Sequence, residues 1–110
     1  MTGLWAEGFS AADLRHGPRA AALGLPAVVF HSGGPLAADV EGLERELAAA
    51  GSPIVSIGPG RALAAGEGLC EEIAPIALIV PAQLAAERLA LLRGRDPDRP
   101  PGLTKVTRTH

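Results

Sequence analysis

Aromatic residues are scarce: Trp5, Phe9 and Phe30 make up 3% of the chain, and tyrosine is absent. Any core must therefore be built from leucine, alanine, valine and isoleucine, which suits a helix-covered sheet better than a small all-β barrel, so the expected fold class is α/β. Cysteine is nearly absent too. Cys70 stands alone, so no internal disulfide can form and a reducing, cytoplasmic setting is expected. The charges almost cancel, with 10 Lys and Arg against 12 Asp and Glu and a net charge of -2. That removes the whole-domain attraction on which nucleic-acid binders rely, and no DNA or RNA partner is expected. No basic stretch followed by an apolar run and a cleavage site opens the chain. The longest apolar run, residues 73–80, contains Pro75 and falls short of the roughly 20 residues of a membrane span, so no transmembrane segment is expected.

What remains is enough to fold. A chain of 110 residues, 47% hydrophobic, with a mean hydropathy of +0.22, collapses rather than staying disordered, and its length allows one domain at most. Residues 3–10 read as the end of a helix giving way to a turn, and Ser10-Ala11-Ala12-Asp13 as a capping box that starts a short new helix. Residues 26–31 are a β-branched and aromatic run between Pro26 and Ser32-Gly33-Gly34-Pro35, the pattern of a buried strand. Leu36, Val40, Leu43 and Leu47 recur at helical spacing up to Gly51, which predicts an amphipathic helix with a glycine cap. Residues 54–58 are a second strand, so residues 26–58 form the strand, helix and strand of a right-handed parallel crossover. Residues 59–68 read as a mobile loop and residues 69–73 as a third, short strand. A last helix is predicted from Pro75 to Arg93, closed by Gly94, kinked at Pro81, and burying Ile76, Ile79, Val80, Leu84, Leu91 and Leu92. A proline-rich tail follows. Two or three strands leave a parallel sheet short of cover, since such sheets need both faces and both edges protected.

Residues able to carry chemistry are few. His16, His31, His110 and Cys70 lack the paired short spacings of a zinc site, so no metal centre is expected. The Ser32-Gly33-Gly34-Pro35 loop follows a strand and precedes a helix, where backbone N–H groups could cradle a phosphate. It lacks the full dinucleotide or P-loop pattern and reads as a plain turn. Cys70 sits beside Glu71 and Glu72, whose charges oppose a thiolate, and is taken as structural. His31 lies at the carboxyl end of the first strand, where open parallel sheets bind ligands; the commoner reading of a lone histidine there is a partly exposed filler. His16, in Arg15-His16-Gly17-Pro18, is fixed at a rigid corner, and a histidine there can equally serve the helix dipole. Lys105 is the only lysine and lies in a tail with Thr104, Thr107 and Thr109. Its amine can form a Schiff base or open a sugar ring, as arginine cannot, while a solvated tail lysine is the plainer reading.

Three segments weigh on these alternatives. Residues 6–18 (Ala-Glu-Gly-Phe-Ser-Ala-Ala-Asp-Leu-Arg-His-Gly-Pro), residues 73–84 (Ile-Ala-Pro-Ile-Ala-Leu-Ile-Val-Pro-Ala-Gln-Leu) and residues 94–109 (Gly-Arg-Asp-Pro-Asp-Arg-Pro-Pro-Gly-Leu-Thr-Lys-Val-Thr-Arg-Thr) together resemble, in that order, the C-terminal half of the second sugar isomerase (SIS) subdomain of the glucosamine-6-phosphate synthase family. The resemblance covers nearly the whole chain. It implies an incomplete SIS-type, flavodoxin-like parallel sheet with flanking helices in three αβα layers. Residues 1–94 would form the C-terminal portion of one SIS domain, and residues 95–110 a tail carrying an active-site lysine. In that family fructose 6-phosphate is aminated and isomerised to an aldose phosphate. By this resemblance His16 matches the histidine that helps open the sugar ring in the neighbouring subunit's active site, and Lys105 the tail lysine that engages the open-chain carbonyl. A phosphosugar such as fructose 6-phosphate or glucosamine 6-phosphate is the implied ligand, a homo-oligomer or a complementing SIS half the implied partner, and no cofactor is implied.

The departures from the family pattern shape the expectation. The family's enediol-forming glutamate and its phosphate-gripping Ser/Thr loops lie upstream of the matched segments, and residues 1–5 carry neither. Asp13 stands where the family usually has glutamate. No glutaminase domain with an N-terminal cysteine is present, so ammonia from glutamine is not implied. The expectation is a phosphosugar-binding SIS fragment of an aminosugar-phosphate isomerase or deaminase, inactive alone. The alternative is a non-catalytic regulatory or assembly module that senses a phosphosugar or pairs with a full-length homologue.

Overall fold

The computed structural model describes residues 2–99 and divides into two compact units, one spanning Glu7–Ala82 and one drawn from both ends of the chain. In the larger unit, helix α1 (Ala11–His16) starts as the sequence predicts. Ser10 Oγ accepts from the Asp13 amide at 3.1 Å and donates to Asp13 Oδ2 at 2.6 Å. Aspartate thus closes the cap in place of the longer acid of a usual capping box. Residues 2–10 hold no regular element, against the helix end expected there; Gly3 and Gly8 make a helix entropically costly in so short a stretch. A single turn, α2 (Arg19–Ala22), follows the His16-Gly17-Pro18 corner.

Strand β1 (Ala27–Phe30), helix α3 (Ala37–Ala49) and strand β2 (Ile54–Gly58) form the predicted crossover, with β1 and β2 parallel and Ala27 opposite Ile54. Helix α3 ends in a Schellman motif: the Ser52 N–H reaches the Leu47 carbonyl at 3.1 Å and the Gly51 N–H that of Ala48 at 2.9 Å. A third strand exists, but it is β3 (Leu63–Ala64), paired parallel to β2 inside the stretch expected to be loop. Residues 69–70 hold no regular element and residues 71–73 form a turn instead. The sheet order is β1-β2-β3. Gly58 lets the strand ends close up: a Cβ on it would lie 2.6 Å from the His31 carbonyl oxygen, and its φ of 154° is unfavourable for any other residue.

Side chains alternate across the strands, so the two sheet faces can be told apart. One face presents Ala27 and Ile54 to a cluster of Leu14, Leu43 and Leu47 from α1 and α3. The opposite face presents Ile57, which packs with Leu63 on Ala74 and Leu78 of α4 (Ala74–Leu92). Helices on both sides of a parallel sheet make the three layers of an α/β fold. Helix α4 also ends in a Schellman motif, with Gly94 and Arg95 donating to Leu91 and Ala90, both at 2.9 Å.

The expected buried stripe of α4 is corrected. Ile76, Ile79, Val80, Leu84, Leu91 and Leu92 are all exposed, Ile76 by 72%, while Ala74, Leu78 and Ala90 are buried. The helix is apolar on nearly every side, so spacing alone cannot tell which side is covered, and the small alanines mark the close approach. The unbroken apolar run of residues 73–80 is short of a span, but α4 as a whole, 19 residues long, is apolar enough by length and composition to cross a membrane, because the helix continues past Pro81 with few charges.

Candidate functional site

Leu14, buried in the core cluster, sets the rotation of α1. His16, two residues on and so about 200° round the helix, is turned to solvent. The helix stops at Gly17, where a Cβ would meet the Asp13 carbonyl oxygen at 2.9 Å, and Pro18 turns the chain into α2. The corner is bracketed by charge. Arg15 Nη1 donates to Asp39 Oδ1 at 3.2 Å and Nη2 to the Asp39 carbonyl at 3.1 Å, with Nη2 3.6 Å from Glu46 Oε1. Arg19 Nη1 lies 3.5 Å from the other oxygen of Glu46.

A second polar centre lies beneath the sheet's α3 face. His31 is 6% exposed, not the partly exposed filler expected, and its Nε2 lies 2.6 Å from Glu44 Oε2. The other Glu44 oxygen accepts from the Ser56 hydroxyl, and Arg61 Nη1 stands 4.0 Å away. Burial opposes ionisation of Glu44, but the Ser56 hydroxyl, His31 and Arg61 outweigh it and hold the carboxyl below its ordinary value. This centre ties β1, α3 and β2 together. A shallow depression of about 390 Å³ beside it is lined by Glu41, Glu44, Arg45, Ala48 and Arg61. Arg61 Nη2 is occupied by Glu41 at 2.7 Å, so the depression's charges are largely mutually paired. Sequence spacing gives no sign of this centre, because its members come from separate elements and meet only through strand pairing.

Of the residues singled out in the sequence, His16 is exposed at the end of α1, and Lys105 lies outside the described residues, as does His110. Cys70 is exposed rather than structural. In the Ser32-Gly33-Gly34-Pro35 loop both glycines have positive φ, and the Glu71 carboxylate lies against Gly34. An acidic group there disfavours a bound phosphate, in keeping with a plain turn. Among the described residues no three His, Cys, Asp or Glu side chains are grouped to hold a metal ion.

Several curated proteins resemble the chain over nearly its whole length. The isomerizing glutamine–fructose-6-phosphate aminotransferases of Thermococcus kodakarensis and Pyrococcus horikoshii are 36% and 39% identical to it, over 93% and 91% of the chain. The chain spans 18% of the length of each. A protein of the same description from Sphingobium yanoikuyae is 35% identical over 93% of the chain, and 72% of that relative is covered. The chain belongs to the glutamine–fructose-6-phosphate aminotransferase family. Within that family its likeness is to the sugar isomerase domain, and the three-layer parallel sheet agrees with that placement. No protein-family model and no solved structure matches the chain.

Proposed function

We propose that the chain handles a phosphosugar, such as fructose 6-phosphate or glucosamine 6-phosphate, as part of the sugar isomerase domain of an aldose–ketose aminosugar-phosphate isomerase or deaminase. The observation that carries this reading is the 35% identity to a relative of which 72% is covered. Within the shared length, His16 stands at an exposed Gly-Pro corner, free to reach a ligand. Its imidazole, which carries both a proton donor and an acceptor, is the group that opens the sugar ring. Lys105 supplies the amine that engages the open-chain carbonyl.

The chain works with a second polypeptide, either another copy or a complementing SIS half, and alone it is inactive. The exposure of Val28, Phe30 and Val55 on the sheet supports this. The setting is cytoplasmic, with α4 an interior helix of the completed domain. The same uncovered face favours one second reading, a non-catalytic module that senses a phosphosugar or pairs with a full-length homologue.

The two readings separate in a trapping experiment. The chain is mixed with the remainder of the sugar isomerase domain from the Pyrococcus horikoshii relative and given labelled fructose 6-phosphate and borohydride. Peptide mapping should find the label on Lys105, and Lys105→Arg should abolish it. Absence of label on Lys105 in a mixture that turns over sugar contradicts the enzymatic role assigned to the tail.

A further inference from the structure

Asp39, Gly42 and Glu46 are spaced three and then four residues apart on α3, so they share one face of the helix. That face is a seat for Arg15. The guanidinium grips the Asp39 side chain and carbonyl with two different nitrogens and leans on Glu46. Gly42 leaves room for the seat: a Cβ on it would come within 2.8 Å of Arg15 Nη2, so the guanidinium would have to shift from its present place. Glycine in a helix interior is unfavourable relative to alanine. The space that a side chain would fill is taken by the guanidinium.

Glu46 also receives Arg19, on its other oxygen. Only His16, Gly17 and Pro18 separate the two arginines, so one carboxylate on α3 holds both ends of the corner. The Arg15 and Glu46 side chains are 29% and 39% exposed, and each ion pair alone is weak at such exposure. The planar, two-pronged grip instead supplies direction, which a single point charge does not.

We propose that Glu46, with Asp39 and Gly42, is a positioning device that holds the His16-Gly17-Pro18 corner through the two flanking arginines, so that His16 meets a sugar in one pose. The functional weight of this device rests on the reading of His16 as the sugar-handling histidine; its existence does not.

The test uses the full chain labelled with 15N and with 13C-histidine, compared by NMR relaxation with Glu46→Gln and Gly42→Ala, and with urea unfolding measured in parallel. In the wild type the His16 and Gly17 amides should be as ordered as the strands, with order parameters near about 0.85, falling below about 0.6 in both variants. The His16 Cε1–Hε1 pair should follow them, while Leu14, β1 and β2 keep their order. Gly42→Ala is the sharper variant. Alanine favours the helix, so a merely structural role predicts a corner as rigid as before and an α3 at least as stable. Unchanged order at His16 and Gly17 in both variants would overturn the proposal and assign the rigidity to Gly17-Pro18 alone. Loosening that extends to Leu14 and the strands would overturn it too, since the contacts would then be general packing. The sugar role of His16 is read separately from the rate loss of His16→Asn in the complemented domain. A Glu46-dependent corner in a protein indifferent to His16→Asn would keep this device and remove the functional reading.

Discussion

The two faces of the sheet are finished to different degrees. On the α3 face, Leu14, Leu43 and Leu47 close over Ala27 and Ile54, and the polar residues His31, Glu44, Ser56 and Arg61 meet one another. On the α4 face, among the described residues, only the end of the sheet at Ile57 and Leu63 is covered, by Ala74 and Leu78. Val28, Phe30 and Val55 are left 54%, 40% and 43% exposed, and Ile76, Ile79 and Val80 of α4 face outward as well. A parallel sheet is ordinarily covered on both faces. The difference therefore separates the face that the described residues close from the face that they leave open.

The largest effect should come from comparing matched truncations on the two faces. Leu47, 3% exposed, should lose about 2–5 kcal/mol of stability on change to alanine, whereas Val28→Ala should change it by less than about 0.5 kcal/mol. Urea unfolding of both variants measures the contrast, and equal losses would mean that the α4 face is already covered in solution.

Gly58→Ala should come next. The added Cβ collides with the His31 backbone and the positive φ strains it, at a cost of about 1–3 kcal/mol. Glu44 should show a smaller effect with a pH signature. Because its folded carboxyl is held below the ordinary 4.5, its stabilisation is fully present above that pH and is lost as pH falls through the lower folded value. Glu44→Gln should cost about 1–2 kcal/mol at pH 7, the order of one charged hydrogen-bonded contact at partial exposure, and should flatten the acid limb of the stability curve. An unaltered acid limb would show that the His31 centre contributes nothing through charge. The smallest effect belongs to the open face. Light scattering should show association that weakens in Phe30→Lys, and a wild-type chain that stays monomeric at high concentration would break the comparison.

The covered half of the molecule was largely legible in the sequence. The Ser10 cap, the crossover from β1 to β2 and the glycine end of α3 follow from local rules of spacing, capping and backbone conformation. The other half was not. The burial of α4 is not legible, because Ala74 and Ala90 are buried while larger neighbours stay exposed, and hydrophobicity alone ranks them the other way round. Strand β3 leaves no trace in the sequence, because two residues in a glycine-rich stretch carry no alternation. The site divides in the same manner. His16 is marked by its Gly-Pro corner, but the Arg15, Arg19 and Glu46 bracket and the His31 centre are made by tertiary approach between elements that no short motif spans.

The measurement that bears most directly on the central claim is the rate of the complemented domain with His16→Asn on two substrates, fructose 6-phosphate and an analogue that cannot close its ring. If His16 opens the sugar ring, the cyclic substrate should be turned over about a hundredfold more slowly, in the range that a positioned acid–base group contributes, and the open-chain analogue at the wild-type rate. Equal rates for wild type and His16→Asn on fructose 6-phosphate, or equal losses on both substrates, would contradict the assignment of His16 to ring opening.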